Sequence, residues 1–145
     1  MGTNYYAVME ETETECPHCE RPGYVQSVRW HIGKSSYGWC FALHVGDAHD
    51  PHIPRSLDEW TDVFARCVRI EDEYGRAITT AEMLKIVTER QGFPDAGEKR
   101  RGYDWYRSNS AEPGPNNLAR HSMKYDHWCV GHGDGTYDLI AGVFS

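Results

Sequence analysis

The sequence predicts an α+β fold, a mostly antiparallel sheet with two amphipathic helices packed on one face. Short segments of strand composition recur along the chain and are separated by turns rich in Gly and Pro. Only two segments have helical periodicity, and they do not alternate with the strands as in a doubly wound fold. A length of 145 residues suits one domain with its own core, so we expect a single domain over residues 1–145.

The first third of the chain predicts β-structure. Residues 3–9 are aromatic and β-branched enough for a first strand. Residues 24–32 and 38–45 have strand composition too, and the segment 33–37 between them has the glycine and the length of a hairpin loop. Residues 46–54 contain two prolines, which exclude a continuing central strand, so a loop is expected there.

Two capping boxes mark the predicted helices. Ser56 is followed by Glu59, and Thr79 is followed by Glu82. In this pattern a hydroxyl and a carboxyl side chain bind the first free backbone amides of a helix. Apolar residues then recur on one face of each segment. Between the two helices, residues 67–78 predict a strand, a turn and a short strand.

The last third of the chain begins with a change of composition. Residues 93–118 are rich in Gly, Pro, Asn and charge, and they predict a long loop inside the domain. Two strands are expected near 120–130 and 136–144, joined by a glycine turn at 131–135. The final segment is apolar on both faces, so its strand is expected in the interior of the sheet.

The charge of the chain limits its partners. With 22 acidic and 15 basic side chains the formal net charge is −7, which opposes general binding to duplex nucleic acid. An acidic surface suits a basic protein partner instead. The first 14 residues have no basic start and no apolar run typical of a secretion signal, and no segment approaches the roughly 20 apolar residues that span a bilayer. We therefore expect a cytoplasmic protein without membrane association.

The most specific motif is the pair Cys16 and Cys19, which enclose Pro17 and His18. The same four residue types form the active site of some disulfide oxidoreductases, where the first thiolate lies at a helix N-terminus. Here the turn at 21–23 follows the pair, so the redox interpretation lacks its helix. The chain has five cysteines, an odd number without a secretion signal, which favours reduced thiols.

The preferred interpretation of the pair is a structural Zn²⁺ site in a zinc-knuckle-like N-terminal hairpin. Two thiolates separated by two residues can reach one ion, and zinc takes four ligands. The candidate ligands are Cys16, Cys19, His31 and His44, and the alternatives for the last two are Cys40 and the C-terminal set His121, His127, Cys129 and His132. Whether the two histidines share a face depends on the length of the loop between their strands. Knuckles of the ribbon type usually have glycine after the second cysteine, where this chain has Glu20.

Two segments suit a nucleotide or another anion. The sequence HIGKSS lacks the upstream glycine and the following helix of a P-loop, but its turn offers backbone amides and hydroxyls to an anion. Residues 98–107 join cations to aromatic rings that can stack on bases. A solvated turn and aromatic anchors of the loop are the structural alternatives. The candidate binding residues are Lys34, Ser35, Ser36, Tyr103, Trp105 and Arg107.

Several motifs together resemble a group of small proteins encoded by bacteriophages and prophages. They are MGTNYY, CPHC, HIGKSSYGWCFALH, VRIEDEYGR and TTAEMLKIVTER, with a weaker similarity in CVGHGDGTYDLIAGVFS. The first five lie within residues 1–92. The resemblance implies a viral accessory protein in the cytoplasm of the bacterial host, and it transfers no reaction and no catalytic residue.

We therefore expect an accessory protein that acts by binding a host or phage protein. Inhibition of antiviral defence, of the anti-CRISPR kind, is one such action. Two alternatives stay open. One is a metal-dependent nuclease or nucleotide-processing enzyme that uses the polar turns HVGDAHDPH or DHWCVGHGD, and the other is a protein that sequesters a nucleotide. The sequence has no HExxH, nucleophile elbow or zinc-deaminase pattern, so no catalytic residue is assigned.

Overall fold

The computed structural model describes residues 2–15, 18–92 and 102–145. The α+β prediction is confirmed, because the described chain forms a mostly antiparallel sheet together with helices. In chain order the elements are β1 (Gly2–Thr14), β2 (Tyr24–Ser36), β3 (Phe41–Val45), α1 (Leu57–Arg66), β4 (Arg69–Asp72), β5 (Ala77–Ile78), α2 (Thr80–Thr88), α3 (Tyr103–Ser108), β6 (Ala111–Pro113), a 3₁₀ turn (Pro115–Asn117), β7 (Ala119–His121), β8 (Cys129–His132) and β9 (Tyr137–Ala141).

Seven strands form the main sheet in the order β5-β4-β1-β2-β3-β9-β8, and β6 pairs with β7 in a separate hairpin. Neighbouring strands of the main sheet are antiparallel except for β3 and β9, which are parallel from Phe41 paired with Tyr137 to Val45 paired with Ala141. The last strand thus lies inside the sheet, as expected from a segment that is apolar on both faces.

One face of the sheet carries the hydrophobic core, and both predicted capping boxes begin helices that pack there. Ser56 Oγ accepts a hydrogen bond from the Glu59 amide, and Thr79 Oγ1 accepts one from the Glu82 amide, each at 3.1 Å. The core side chains include Ala7, Ile32, Phe41, Leu43, Trp60, Val63, Phe64, Met83 and Val87.

In the described part of the chain no helix is long and apolar enough to cross a membrane.

The predicted hairpin is present, because β2 and β3 pair antiparallel, but its loop lies at 37–40 and not at 33–37. Strand β2 continues to Ser36. A bulge interrupts its pairing with β1: Tyr5 pairs with Gly33 and Tyr6 with His31, which leaves Ile32 as the extra residue. The alternation of side chains along a strand does not reveal such an inserted residue. The strand was therefore predicted to end before Gly33.

The bulge decides which side chains of β2 share a face. Ile32 is in the core, and a Cβ added at Gly33 would lie 2.5 Å from Phe41 Cε1, so both residues face the core side. His31 and Lys34, on either side of the bulge, are consequently directed to the opposite face of the sheet. We call this opposite side of β2, β3 and β9 the second face.

The predicted long loop at 93–118 is wrong where the structure describes it. Helix α3, strand β6 and the 3₁₀ turn all lie within the range, and residues 93–101 are outside the described part of the chain. Helix α3 has only six residues, none of them buried, and its N-cap makes no side-chain hydrogen bond. It therefore lacks the apolar stripe and the cap by which a helix is predicted from sequence.

Candidate functional site

The second face of the sheet contains a cavity. Ala42 and His44 alternate along β3 with the core residues Phe41 and Leu43, so their side chains belong to this face. The cavity has a volume of about 420 Å³, within the range of roughly 300–1,000 Å³ usual for small-ligand sites. Its lining residues are Lys34, Ser36, Trp39, Cys40, Ala42, His121, Asp126, Trp128, Ile140, Ala141, Val143, Phe144 and Ser145.

Lys34 is the cation of the cavity. Its Nζ donates a hydrogen bond to the backbone oxygen of Ser145 at 2.8 Å. None of the ion pairs found among the described residues involves Lys34. An ammonium group has three N–H donors, and this contact uses one of them, so the other donors are available to an anion in the cavity.

Two tryptophans line the cavity and give it planar apolar surfaces. Trp39 is half-buried, and its ring lies 5.7 Å from the ring of Trp105. Trp128 is 53% exposed. A Cβ added at Gly142 would lie 2.6 Å from Trp128 Cε3, and Gly142 has a φ of +90°, so glycine lets this indole lie directly on the backbone that follows β9.

His121 and Asp126 form a hydrogen-bonded pair at the cavity wall. His121 Nδ1 lies 3.0 Å from Asp126 Oδ2. Asp126 Oδ1 accepts a hydrogen bond from the Trp128 amide at 3.0 Å, so the same carboxylate orients the imidazole and the loop that carries the indole. The imidazole also packs on the ring of Trp39, with the centroids 5.0 Å apart.

The backbone of His121 is held just as closely. Its amide donates to Asp138 Oδ2 at 2.9 Å, and its carbonyl oxygen accepts a hydrogen bond from His132 Nε2 at 2.7 Å. Asp138 is fully buried and is paired with Arg120. The imidazole therefore has a fixed place relative to the sheet.

Cys40 also lines the cavity, but it is unsuited to nucleophilic attack. Burial, with a smaller contribution from Asp138, raises the pKa of the Cys40 thiol to about 12. A nucleophilic cysteine needs a lowered pKa, since the thiolate is the reactive form. The cavity thus provides a cation, an oriented imidazole and aromatic surfaces, and it does not provide an activated thiol.

The structure separates the predicted zinc ligands. Cys16 lies outside the described residues, and Cys19 is exposed in the turn beyond the paired ends of β1 and β2. His31 is seven positions along β2 from Tyr24, where that pairing begins, a distance of roughly 23 Å at strand rise. Cys19 is therefore not brought to His31 and His44, and the described residues contain no group of three or more potential metal ligands.

His31 and His44 do lie together on the second face, with ring centroids 5.6 Å apart. His31 Nε2 is 2.8 Å from Asn4 Oδ1, and His44 Nδ1 is 2.9 Å from the His31 carbonyl oxygen. Burial, and to a lesser extent the neighbouring His44, lowers the pKa of His31 to about 4. The ring of Phe144 packs on both imidazoles at 4.9 and 5.6 Å. This pair is accordingly integrated into the packing of the second face.

The predicted anion-binding residues are divided between two places. Lys34 and Ser36 line the cavity, and Ser35 is not among its lining residues. Tyr103 and Arg107 line a different groove, which includes Tyr106 and Tyr125. In the described part of the predicted aromatic segment, Trp105 packs on one residue of the cavity wall, Trp39, with ring centroids 5.7 Å apart.

Sequence reasoning missed His121, Asp126 and Trp128 as members of one site with Lys34. The only local signal was the short interval between His121 and Asp126, which the structure closes by a turn in which the Asp126 amide donates to the Ser122 oxygen at 2.8 Å. The approach to Lys34 depends on the parallel pairing of β3 with β9, which no local pattern indicates.

Comparison with known proteins adds no further constraint. The chain matches no protein family model, no curated protein and no solved structure.

Proposed function

We propose that this protein binds a nucleotide, or a closely similar ligand with a planar ring and an anionic group, in the cavity of the second face. The observation that carries the proposal is the combination of the Lys34 ammonium group and two indoles in the lining of one cavity of about 420 Å³. Indole faces stack on bases, and an ammonium group is a usual partner of phosphate. This corresponds to the nucleotide-sequestering alternative of the sequence analysis.

The chemistry of the wall supports binding more than turnover. Mostly apolar lining with a few convergent polar groups is typical of small-molecule sites. The one lining thiol has a raised pKa, and the described residues contain no cluster of metal ligands, so the cavity residues by themselves supply binding groups. Sequestration of a nucleotide is also a function that a viral accessory protein can perform without catalysis.

Replacing Lys34 by methionine tests the proposal. We expect Lys34→Met to weaken the binding of adenosine and uridine monophosphates by about tenfold to a hundredfold, since a hydrogen bond to a charged group contributes roughly 1.5–3 kcal/mol. Isothermal titration calorimetry measures the change, and quenching of tryptophan fluorescence provides a second readout.

Lys85→Met is the matched control, because Lys85 is an exposed lysine of α2 outside the cavity lining. It removes the same charge and should leave affinity unchanged. Equal losses in the two variants would mean that net charge alone attracts the ligand. The absence of nucleotide binding by the unaltered chain would reject the proposal.

A second candidate, an accessory protein that binds a host or phage protein, is favoured by one further feature. The paired segments 10–14 and 24–28, which we call the outer ribbon, extend beyond the contacts of β1 with β4 and of β2 with β3. The outer ribbon carries Glu10, Glu11 and Glu13 and no cation in either segment. An exposed acidic ribbon is complementary to a basic groove of a partner protein, including a component of antiviral defence.

Charge reversal tests this candidate. Glu10→Lys combined with Glu13→Lys should abolish salt-sensitive capture of a protein partner from extracts of the bacterial host. Asp62→Lys combined with Glu89→Lys changes the net charge equally at exposed positions away from the ribbon and should capture the partner normally. Equal capture by both double variants would reject the outer ribbon as the contact surface.

A structural zinc ion at Cys16 and Cys19 remains a proposal of its own. Because the pairing of β1 with β2 does not bring Cys19 to His31 or His44, we propose that the other ligands come from residues near the turn or from a bound partner. Metal analysis of the purified chain tests it, and an apoprotein that keeps its fold without zinc would contradict it.

A further inference from the structure

We propose that His121 makes the cavity selective for ribonucleotides, because its Nε2 accepts a hydrogen bond from a hydroxyl group of the sugar. This inference rests on the proposed nucleotide binding and adds the residue that recognises the sugar. It is based on the observation that the other polar groups of His121, namely Nδ1, the amide and the carbonyl oxygen, already have hydrogen-bond partners.

The tautomer of His121 follows from its partner. A carboxylate oxygen accepts hydrogen bonds and donates none, so the 3.0 Å contact with Asp126 requires a proton on His121 Nδ1. In the neutral imidazole the second nitrogen, Nε2, then carries a lone pair and acts as an acceptor. The cavity therefore contains a fixed acceptor as well as the donor Lys34.

His121 Nε2 is free to meet a ligand. Within the described residues the hydrogen bonds of His121 involve its Nδ1, its amide and its carbonyl oxygen. His44 Nε2 is the buried side-chain nitrogen without a partner in that part of the chain, and His121 Nε2 is not buried in this way. This nitrogen is accessible and belongs to a residue that lines the cavity, so it can accept a hydrogen bond from a donor group of a bound ligand.

Charged and titratable groups surround the imidazole without occupying Nε2. Asp126 holds Nδ1, and His132 and Asp138 bind the backbone. The remaining groups on neighbouring elements are of three kinds: ion pairs, protonated thiols and the lysine of the cavity wall. They are Arg120 with Asp138, Glu112 with His132, the thiols of Cys40 and Cys129, and Lys34.

The sugar is the part of a nucleotide that suits this acceptor. The indoles take up the face of the base, and Lys34 takes up the phosphate. The sugar joins these two parts, and its 2′-hydroxyl is the proton donor that distinguishes a ribonucleotide from a deoxyribonucleotide. A dianionic phosphate has no proton to donate, and a base that is stacked by its face can reach Nε2 only with its edge.

The test compares ribonucleotides with analogues that lack the 2′-hydroxyl. Calorimetry with the full chain measures the affinities of adenosine and uridine monophosphates and of their 2′-deoxy forms. We expect the ribonucleotides to bind about tenfold more tightly, the effect of about one additional hydrogen bond. His121→Ala should bind the two forms equally, whereas His49→Ala, at an exposed loop position, should keep the full difference.

Asp126→Ala provides a second variant that keeps the His121 side chain but removes the carboxylate that fixes its tautomer and orientation. The ribonucleotide preference should decrease in this variant too, with a smaller effect on the 2′-deoxy forms. Nucleotide binding without any preference for ribose, or a preference that survives His121→Ala, would overturn the inference and leave the proposed function intact. A chain that binds none of the four nucleotides would overturn both.

Discussion

Replacing Arg120 by methionine is expected to lower the free energy of unfolding by about 3–5 kcal/mol, the usual cost of removing one partner of a buried ion pair. Arg120 Nε and Nη2 each lie 2.8 Å from Asp138 Oδ1, and the Asp138 side chain is fully buried. Without the guanidinium group, a carboxylate without a counter-charge would remain inside the protein. Chemical denaturation monitored by circular dichroism measures the loss.

The matched control is Arg76→Met. Arg76 also pairs with an aspartate, Asp72, at 3.4 Å, but its side chain is 66% exposed. The buried Asp72 carboxylate keeps its hydrogen bonds from the Tyr74 and Arg76 amides, each at 2.9 Å. An ion pair with an exposed partner contributes about 0–1 kcal/mol, so this variant should unfold at nearly the same denaturant concentration as the unaltered chain. If Arg120→Met and Arg76→Met were equally stable, burial of the Arg120 pair would have no energetic importance.

The double variant Arg120→Met with Asp138→Asn distinguishes the buried charge from the loss of packing. The introduced asparagine is neutral, and its side-chain oxygen can still accept the hydrogen bond from the His121 amide, which Asp138 Oδ2 accepts at 2.9 Å. The double variant should therefore be more stable than Arg120→Met alone. It should also keep His121 in place and with it the cavity wall, which nucleotide titration of the same variant would report.

Replacing Trp60 by alanine is expected to lower the free energy of unfolding by about 3–5 kcal/mol, as usual when a large buried aromatic side chain is truncated. Trp60 has no solvent exposure and lies between helix α1 and the core face of the sheet. Its Nε1 donates a hydrogen bond to the His44 carbonyl oxygen at 2.7 Å, so the variant also leaves a buried acceptor without its donor. Urea unfolding curves measure the change.

Two other tryptophan variants separate the causes. Trp60→Phe keeps an aromatic ring in the core but removes the N–H donor, and its loss should be clearly smaller than that of Trp60→Ala. Trp128→Ala removes an indole that is 53% exposed, and it should change stability by about 1 kcal/mol or less. A Trp128→Ala loss as large as that of Trp60→Ala would show that the cavity wall, and not the core alone, stabilises the fold.

The sequence predicted best what neighbouring residues decide among themselves. The capping boxes at Ser56 and Thr79 place the starts of α1 and α2 correctly, because a cap needs only a hydroxyl and an amide three residues later. The apolar last strand lies inside the sheet, since a segment with two apolar faces must be covered on both. Helix α3 was not predicted, because its six residues, none of them buried, have no apolar stripe.

The candidate site was only partly predictable. Lys34 was identified as an anion-binding residue, but it was assigned to the hairpin loop, whereas it lies within strand β2, which continues to Ser36. His121 and Trp128 were not assigned to the same site, since they lie far from Lys34 in the sequence. The sequence also joined Cys19 to His31 and His44, which the pairing of β1 with β2 separates.

By itself, then, the sequence determined the α+β class, the two capped helices and the chemistry available to the chain: a lysine in the HIGKSS motif, several indoles and many histidines. Only the tertiary structure decided which of these groups meet, through the bulge in β2 and the parallel contact of β3 with β9. The physical reason is that helix caps and strand composition depend on contacts within a few residues. Register and strand order depend instead on the packing of the whole sheet, where a shift by one residue moves a side chain to the other face.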